Sequence, residues 1–416
     1  MAPCELGLAP PPASDASHWR VLELFAGIGG MRIALAEGGV NAEVVAAYEI
    51  SEVCERTYLH NFPDELRVWR RSTIERVSAA ELDSLSADVW LMSPPCQPFT
   101  RSGQRLDEKD NRTQALLHLA DLLLQLRRLP KYILLENVVG FERSESRRRF
   151  FGTLAKLGWE VAELDLRPED VGLPNSRPRY YGLFRTPPSS AAECIATAHL
   201  RWRPASEAQH DEAAELQRCP DAFKDHGMLH CPPLGSFLQC AGEVACEEAE
   251  LGCSIELPQE AVAAHVAGGG RYDINLRSEI TSACFTKGYG RFPRGYGPFV
   301  LIDSEDEASV IQSPKLSADA GSGSGGAPAM YNVWREGSRL RYLTPTEQLR
   351  LMGYPAWYKF PKRMSMRERC ALIGNSVNAR VVGRLLRYVA DAEVTPHNAR
   401  QDESCAEMAA QYAATS

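Results

Sequence analysis

Through its first 185 residues the chain alternates short apolar runs with stretches of helical spacing, and this rhythm restricts the fold more than any other feature. RVLELF (20–25), EVVAAYE (43–49), ADVWLMS (87–93), YILLE (132–136) and RYYGLFR (179–185) are the strand-like runs. Between them, MRIALAEGG (31–39), SEVCERTYLHNF (51–62), TQALLHLADLLLQLRRL (113–129) and SRRRFFGTLAKLG (146–158) carry helical periodicity. The third is expected to run to Pro130 and the fourth to its closing glycine. Strands that read as near-continuous apolar runs are buried on both faces, which requires helices above and below a mainly parallel sheet. The expected fold class is α/β.

The rhythm fades after about residue 186. An acidic stretch, SEDEASV (304–310), and a Gly/Ser run, GSGSGGAP (321–328), lie in the irregular part, and the second reads as a flexible linker or an insertion. Order returns at RLRYLTPTEQLRLMGYP (339–355), where Thr344 is a suitable N-cap, Pro345 suits the first helical position and Glu347 can close a capping box. The expected organisation is a Pro/Ala/Ser-rich disordered tail (1–17), a main domain begun at 18–185, a smaller inserted domain at 186–335, the main domain resumed at 336–393, and a second tail at 394–416.

The formal net charge of −8 argues against binding nucleic acid through bulk positive charge, but not against local basic patches. Clusters occur at Arg67, Arg70 and Arg71, at Arg143, Arg147, Arg148 and Arg149, and around Lys287; solvated surface is the default reading of each. The twelve cysteines include no C-x-x-C pair, and the spacing of Cys219, His226, His230, Cys231 and Cys240 is too irregular to suggest zinc. No signal-peptide pattern and no run of membrane-spanning length occurs, so a reducing, intracellular setting with free thiols is expected.

Four segments carry candidate chemistry. In VLELFAGIGGMRIAL, a strand enters a glycine turn and a helix leaves it, so Gly27, Gly29 and Gly30 let backbone approach a ligand. The next strand ends at Glu49, where a carboxylate can accept ribose hydroxyls. The turn lacks the dinucleotide G-x-G-x-x-G spacing, which favours a mononucleoside cofactor such as S-adenosylmethionine over NAD. Cys96, in SPPCQPFTRSG, follows a strand end in a loop stiffened by Pro94, Pro95 and Pro98; it reads either as a buried structural thiol or as a nucleophile held at a fixed point. Glu136 closes the YILLE strand, and a thiol and a carboxylate at two strand ends of one sheet can converge on one ligand. In NSRPR, Arg177 and Arg179 have period-two spacing and are expected on one side of an extended segment, suited to a phosphate or carbonyl oxygen.

FAGIGG, SPPCQPFTRSG, ENV (136–138), NSRPR (175–179), RYLTPTEQLRLMGYP and GNSVNARVVGRLL stand in the order of the cytosine-5 methyltransferase family, which the chain resembles over about residues 20–185 and 339–392. CFTKGYGRF (284–292) resembles the hallmark of the branch that methylates tRNA, the tRNA aspartic-acid methyltransferases. The resemblance implies a Rossmann-like S-adenosylmethionine-dependent methyltransferase fold with an inserted target-recognition domain. It further implies that Cys96 attacks carbon 6 of cytosine, Glu136 engages ring nitrogen 3, Arg179 contacts the base carbonyl and Arg177 supports it. Phe25, Gly27, Ile28, Gly29, Glu49, Ile50, Pro94, Asn375, Ser376 and Val377 would form the cofactor pocket. Glu49 departs from the branch pattern, where a shorter aspartate is expected, while keeping the hydrogen-bonding role.

The target base must leave its stack before such a cysteine can reach it, and an unpaired loop makes that step cheap, so an anticodon-loop cytosine in tRNA is the expected substrate. Arg101, Arg105, Lys287, Arg291 and Arg294 are the candidate RNA contacts. DNA methylation and a non-catalytic binding module are the rival readings. A monomer in the cytoplasm or nucleus, without membrane contact, completes the expectation.

Overall fold

The computed structural model describes residues 18–65, 67–95, 114–187, 199–211, 216–220, 231–268, 272–290, 297–302, 311–314, 330–333 and 337–394. Cys96, Arg101, Arg105, Arg291, Arg294, His226, His230, the expected first tail, the second beyond residue 394, the acidic stretch and the Gly/Ser run lie outside the described residues. The chain divides into two compact units, one made of Met1–Val171, Pro178–Leu229 and Val377–Ser416, the other of Gly172–Arg177 and His230–Ser376. The sequence pattern placed the changes of unit at 186 and 336; by compactness they fall at 230 and 377, apart from the short excursion at 172–177.

The first unit is built on an eight-stranded sheet of β1 (Trp19–Leu24), β2 (Ala42–Glu49), β3 (Trp69–Arg71), β4 (Val89–Met92), β5 (Tyr132–Val138), β6 (Glu160–Leu166), β7 (Arg179–Arg185) and β8 (Arg203–Pro204). Their spatial order is β3-β2-β1-β4-β5-β7-β6-β8. The first five are parallel, while β7 runs antiparallel to both β5 and β6, and β8 antiparallel to β6. Helices α1 (Gly30–Glu37), α2 (Glu52–Asn61), α3 (Ala79–Leu85), α4 (Gln114–Leu123) and α5 (Glu145–Lys156) connect strands of this sheet. Leu22, Leu24, Trp90, Met92, Ile133, Leu135, Phe150, Phe151 and Phe184 belong to one buried apolar cluster, as the continuous apolar runs require.

Three local readings need correction. Helix α4 stops at Leu123 and not at Pro130, because the N–H groups of Arg127 and Arg128 donate to the Asp83 carboxylate of α3, at 3.0 and 3.1 Å, in place of carbonyls one turn back. Strand β6, EVAELDL, was absent from the sequence reading because Glu160, Glu163 and Asp165 break its apolar run. Glu163 is buried and accepts four bonds: two from the Arg147 guanidinium and one from Arg203, each at 2.7 Å, and one from the Tyr180 hydroxyl at 2.9 Å. Arg147, expected on a solvated face, is 2% exposed and lies over the Phe151 ring at 4.2 Å.

The second unit carries α6 (Ala241–Leu251), α7 (Gln259–Ala267) and a five-stranded sheet of β9 (Asp273–Asn275), β10 (Pro298–Leu301), β11 (Ile311–Pro314), β12 (Met330–Val333) and β13 (Leu340–Tyr342), in the order β11-β12-β9-β10-β13. Helix α8 (Pro345–Leu351) follows, with the expected capping box: Glu347 N–H donates to Thr344 Oγ1 at 3.1 Å and Thr344 N–H to Glu347 Oε2 at 2.9 Å. The same Glu347 carboxylate is gripped by buried Arg341 at 2.8 Å on each oxygen. Helix α9 (Met366–Gly374) completes the unit.

The last helix among the described residues, α10 (Ala379–Val394), belongs to the first unit and packs on α1. The two cross where Gly38 meets Gly383. A Cβ on Gly38 would fall 2.5 Å from the Gly383 carbonyl oxygen, so the backbones touch at a separation that admits no side chain.

Removing one partner of the buried Arg147–Glu163 pair leaves the other charge without compensation. Glu163→Ala is therefore expected to lower stability by about 3–5 kcal/mol. Urea denaturation measures this, and a loss below about 1 kcal/mol would mean that the pair is dispensable.

Candidate active site

Parallel pairing sets the carboxyl ends of β1, β2, β4 and β5 along one edge of the sheet, where folds of this kind bind ligands. The strand order changes direction at the β1–β4 pair, and the residues following those strand ends are those of the predicted site.

After β1 the chain turns sharply. Phe25, Gly27 and Gly29 all take positive φ (60°, 55° and 85°), an uncommon conformation for a phenylalanine. The Ala26 N–H donates to Tyr48 O at 2.9 Å and the Gly29 N–H to Ala26 O at 3.0 Å, which closes the turn against β2. Ile28 is buried beneath it. Gly29 has a second requirement: a Cβ there would come within 2.7 Å of Phe62 and 3.2 Å of Tyr58.

At the end of β2, the Glu49 carboxylate is fixed by backbone. Its Oε2 accepts from Gly27 N–H at 3.1 Å, and its Oε1 accepts from Ile50 and Ser51 N–H at 2.8 and 2.9 Å. A carboxylate has about four acceptor positions and three are taken, so capacity remains on Oε2 for one hydroxyl. Ile50 beside it is 61% exposed, an apolar side chain offered at a ligand-binding edge. Fixed backbone amides, a carboxylate with one spare acceptor position and an exposed apolar side chain fit a nucleoside cofactor.

The second half of the site lies at the ends of β4 and β5. Glu136 is 6% exposed; Ser93 Oγ donates to its Oε2 at 2.7 Å, and Arg179 Nε lies 3.4 Å from its Oε1. Asn137, also buried, donates from Nδ2 to the Pro94 carbonyl at 3.3 Å. The ENV segment thus presents one carboxyl group and, with the next side chain, pins the backbone that leads into the Cys96 loop. Ser93 and Asn137 were not singled out from sequence; the signal available was their position beside the strand-end residues that were.

Arg177 and Arg179 do not act as a pair. Only Arg179 lies in a strand, and Pro178 separates them. Arg177, 3% exposed and in the second unit, donates to the carbonyls of Phe285 (3.2 Å), Gly374 (2.9 Å) and Ser376 (2.9 Å). It therefore ties the NSR, CFTKG and GNS segments together rather than facing a ligand. Gly374 packs against the same CFTKG backbone, where an added Cβ would lie 2.3 Å from Lys287 N. Lys287 is exposed. Asn375 is exposed and Ser376 bonds the Tyr354 hydroxyl, whereas Val377 is buried and opens the segment that rejoins the first unit.

A further group behind the glycine turn was not anticipated. Glu23, in β1, is fully buried; its Oε2 accepts from Tyr58 Oη at 2.6 Å, while its Oε1 has no hydrogen-bond partner. Burial pushes this carboxyl up from 4.5 to about 7, against the opposing pull of Tyr58 and Arg32. Arg32 in turn pairs with Glu65 at 2.6 Å and lies over Phe62 at 4.9 Å. Tyr58 and Phe62 are the rings that Gly29 touches, so this cluster is the floor of the turn.

With that geometry in place, likeness to known proteins is informative. Residues 19–227 and 267–390 match the family model of the C-5 cytosine-specific DNA methylases. A tRNA (cytosine(38)-C(5))-methyltransferase of Rattus norvegicus is 33% identical over 397 residues, 89% of this chain and 99% of that protein. A DNA (cytosine-5)-methyltransferase of Dictyostelium discoideum is 29% identical over 396 residues, 89% of this chain and 94% of that one. The crystal structure of a Spodoptera frugiperda DNMT2 mutant superposes with a TM-score of 0.65 at 29% identity, covering 90% of this chain and 99% of its own. The chain belongs to the C-5 cytosine methyltransferase family. It is an enzyme whose methyl donor is S-adenosylmethionine.

Two outcomes check this description. A buried acid whose folded-state pKa is raised holds its proton more tightly when folded, so its contribution to stability is full below pH 4.5 and is lost as pH rises toward about 7. Glu23→Gln should remove that fall and stabilise the protein by roughly 2–3 kcal/mol at about pH 8 relative to about pH 5. Denaturant melts at both values test it, and identical pH dependence in the two proteins would refute it. Gly374→Ala should lower the melting temperature by several degrees, since its Cβ cannot avoid the Lys287 backbone; an unchanged thermal melt would show that the contact yields.

Proposed function

We propose that this chain methylates carbon 5 of a cytosine in the anticodon loop of tRNA, of the tRNA-Asp type, through a covalent adduct at Cys96. The observation that carries the chemistry is the buried Glu136 carboxyl, held between Ser93 and Arg179 while Asn137 anchors the backbone before Cys96.

Carbon 5 of cytosine is a weak nucleophile. Addition of the Cys96 thiolate to carbon 6 makes a new C–S bond and shifts the ring electrons toward carbon 5. Glu136 hydrogen-bonds or protonates ring nitrogen 3, which relieves the negative charge that attack would otherwise build. Arg179 orients Glu136 and would contact the base carbonyl. S-adenosylmethionine supplies an electrophilic methyl group on a sulfonium. After carbon 5 has taken the methyl group it loses its proton to a base, and the electron pair expels the Cys96 thiolate. Phe25, Gly27, Ile28 and Gly29 would hold the cofactor, with Glu49 on the ribose hydroxyls, Ile50 against the adenine, and Pro94, Asn375, Ser376 and Val377 completing the pocket. Two other thiols are poor rivals for the nucleophile: burial pushes Cys54 and Cys370 up to about 12.

The choice of tRNA rests on CFTKGYGRF and on what the Rattus norvegicus relative acts on by name. Lys287 within that segment is exposed, and Arg101, Arg105, Arg291 and Arg294 are the further proposed RNA contacts. The name of the Dictyostelium discoideum relative favours DNA as a second reading.

Transfer of label from S-adenosylmethionine to tRNA and to DNA separates the two. Label is expected in tRNA, absent with Cys96→Ala, and reduced by about 10²–10⁴-fold with Glu136→Gln. Label in DNA alone would overturn the substrate, and label surviving Cys96→Ala would overturn the covalent route.

A further inference from the structure

The stretch that joins α8 to α9 is basic although the chain as a whole is acidic. From residue 348 through residue 367 it contains Arg350, Lys359, Lys362, Arg363 and Arg367 and no Asp or Glu. Lys359, Lys362, Arg363 and Arg367 are exposed. The first acid beyond them, Glu368, is engaged in capping α9, where its Oε2 accepts from the Ser365 N–H at 2.9 Å and hydroxyl at 2.7 Å.

An aromatic ring stands among these cations. Trp357 is 55% exposed, the most exposed large aromatic side chain among the described residues. It rests on buried rings: Tyr358 is 6.1 Å away between centroids, Tyr354 packs on Tyr358 at 4.9 Å, and Phe360 lies 6.2 Å beyond it. The ladder is anchored at its ends, Tyr354 by Ser376 and Phe360 by the Arg369 guanidinium 5.5 Å from its ring. The indole therefore packs against a buried ring yet leaves more than half of its surface exposed, a poor arrangement for core packing and a good one for stacking. Arg363 has φ of 64°, a conformation that a non-glycine residue keeps only when its surroundings impose it. That turn leaves Lys362 and Arg363 both at the surface.

A rigid exposed ring interleaved with cations, without acids, is the pattern that binds unpaired nucleotides, in which the ring takes a base face and the cations take phosphates. We propose that Trp357, with Lys359, Lys362 and Arg363, forms a further RNA-contact surface on which an unpaired base of the tRNA substrate stacks. This rests on the tRNA reading above, and it adds a contact outside both CFTKGYGRF and the methyl-transfer machinery. A stacking platform distinguishes unpaired from paired RNA, because only an unpaired base exposes its face.

The test uses the full chain and two fluorescent RNAs, a stem-loop and a fully paired duplex, followed by anisotropy across a salt series. Trp357→Ala should weaken stem-loop binding about ten- to a hundredfold with little effect on the duplex, and Trp357→Phe should retain most of the affinity. Replacing Lys359, Lys362 and Arg363 together by Ala should reduce the magnitude of the logarithmic salt slope by about 2. Unchanged stem-loop affinity in Trp357→Ala overturns the stacking role, and an unchanged slope in the triple variant overturns the phosphate contacts. Methyl transfer by the wild-type chain, run in parallel, separates the failures. Transfer to tRNA with unaltered binding by the variants removes this surface alone; transfer to DNA and not tRNA removes the substrate reading and this proposal with it.

Discussion

Parallel pairing of β1 with β2 and β4, and of β4 with β5, is the constraint on which the first unit depends. Hydrogen bonds between parallel strands fix which ends lie together. They place Phe25, Glu49, Ser93 and Glu136 along one edge although up to 111 positions of sequence separate them. Nothing in those residues alone would draw a glycine turn toward a carboxylate. The sheet brings them together, and local bonds then refine the geometry: backbone amides on Glu49, the Ser93 hydroxyl and Arg179 on Glu136, and the Asn137 amide on Pro94.

Much of this was legible in the sequence because the relevant signals are local. The apolar strands, the turn at Gly27 and Gly29, and the capping box of Thr344 and Glu347 each follow from a few adjacent residues. What escaped depends on partners distant in sequence. Strand β6 was hidden because Glu163 and Asp165 look like surface residues until Arg147, Arg203 and Tyr180 are known to surround the first of them. The end of α4 was misplaced because Asp83, some forty positions earlier, takes the amides that would have continued it. Glu23 sat unremarked in an apolar strand because only the fold shows that Tyr58 and Arg32 enclose it.

The arginines carry a broader lesson about charge. Arg147, Arg177, Arg185, Arg341 and Arg369 are each less than 9% exposed. They serve as internal braces, on carboxylates for Arg147, Arg185 and Arg341 and on carbonyls for Arg177. A guanidinium suits this task because its planar fork holds several acceptors at once and loses little freedom per bond. Counting basic residues along the chain therefore overstates what is left for a polyanion. The distribution of exposed cations says more, and in the described chain the stretch around Trp357 is one place where they gather without neighbouring acids.

The crossing of Gly38 and Gly383 bears on how the molecule is made. The helix that leaves the glycine turn is covered by the last helix of the described chain, through a contact too close for any side chain. A ribosome delivers those two helices far apart in time, at roughly 5–20 residues per second. The amino-terminal half must wait with the apolar face of α1 uncovered, and the second unit emerges in the interval. Contacts of such long sequence separation slow folding and prolong exposure to aggregation. A newly made chain thus completes the packing of α1 only when α10 docks, so loss of α10 strikes the part of the protein that was synthesised first.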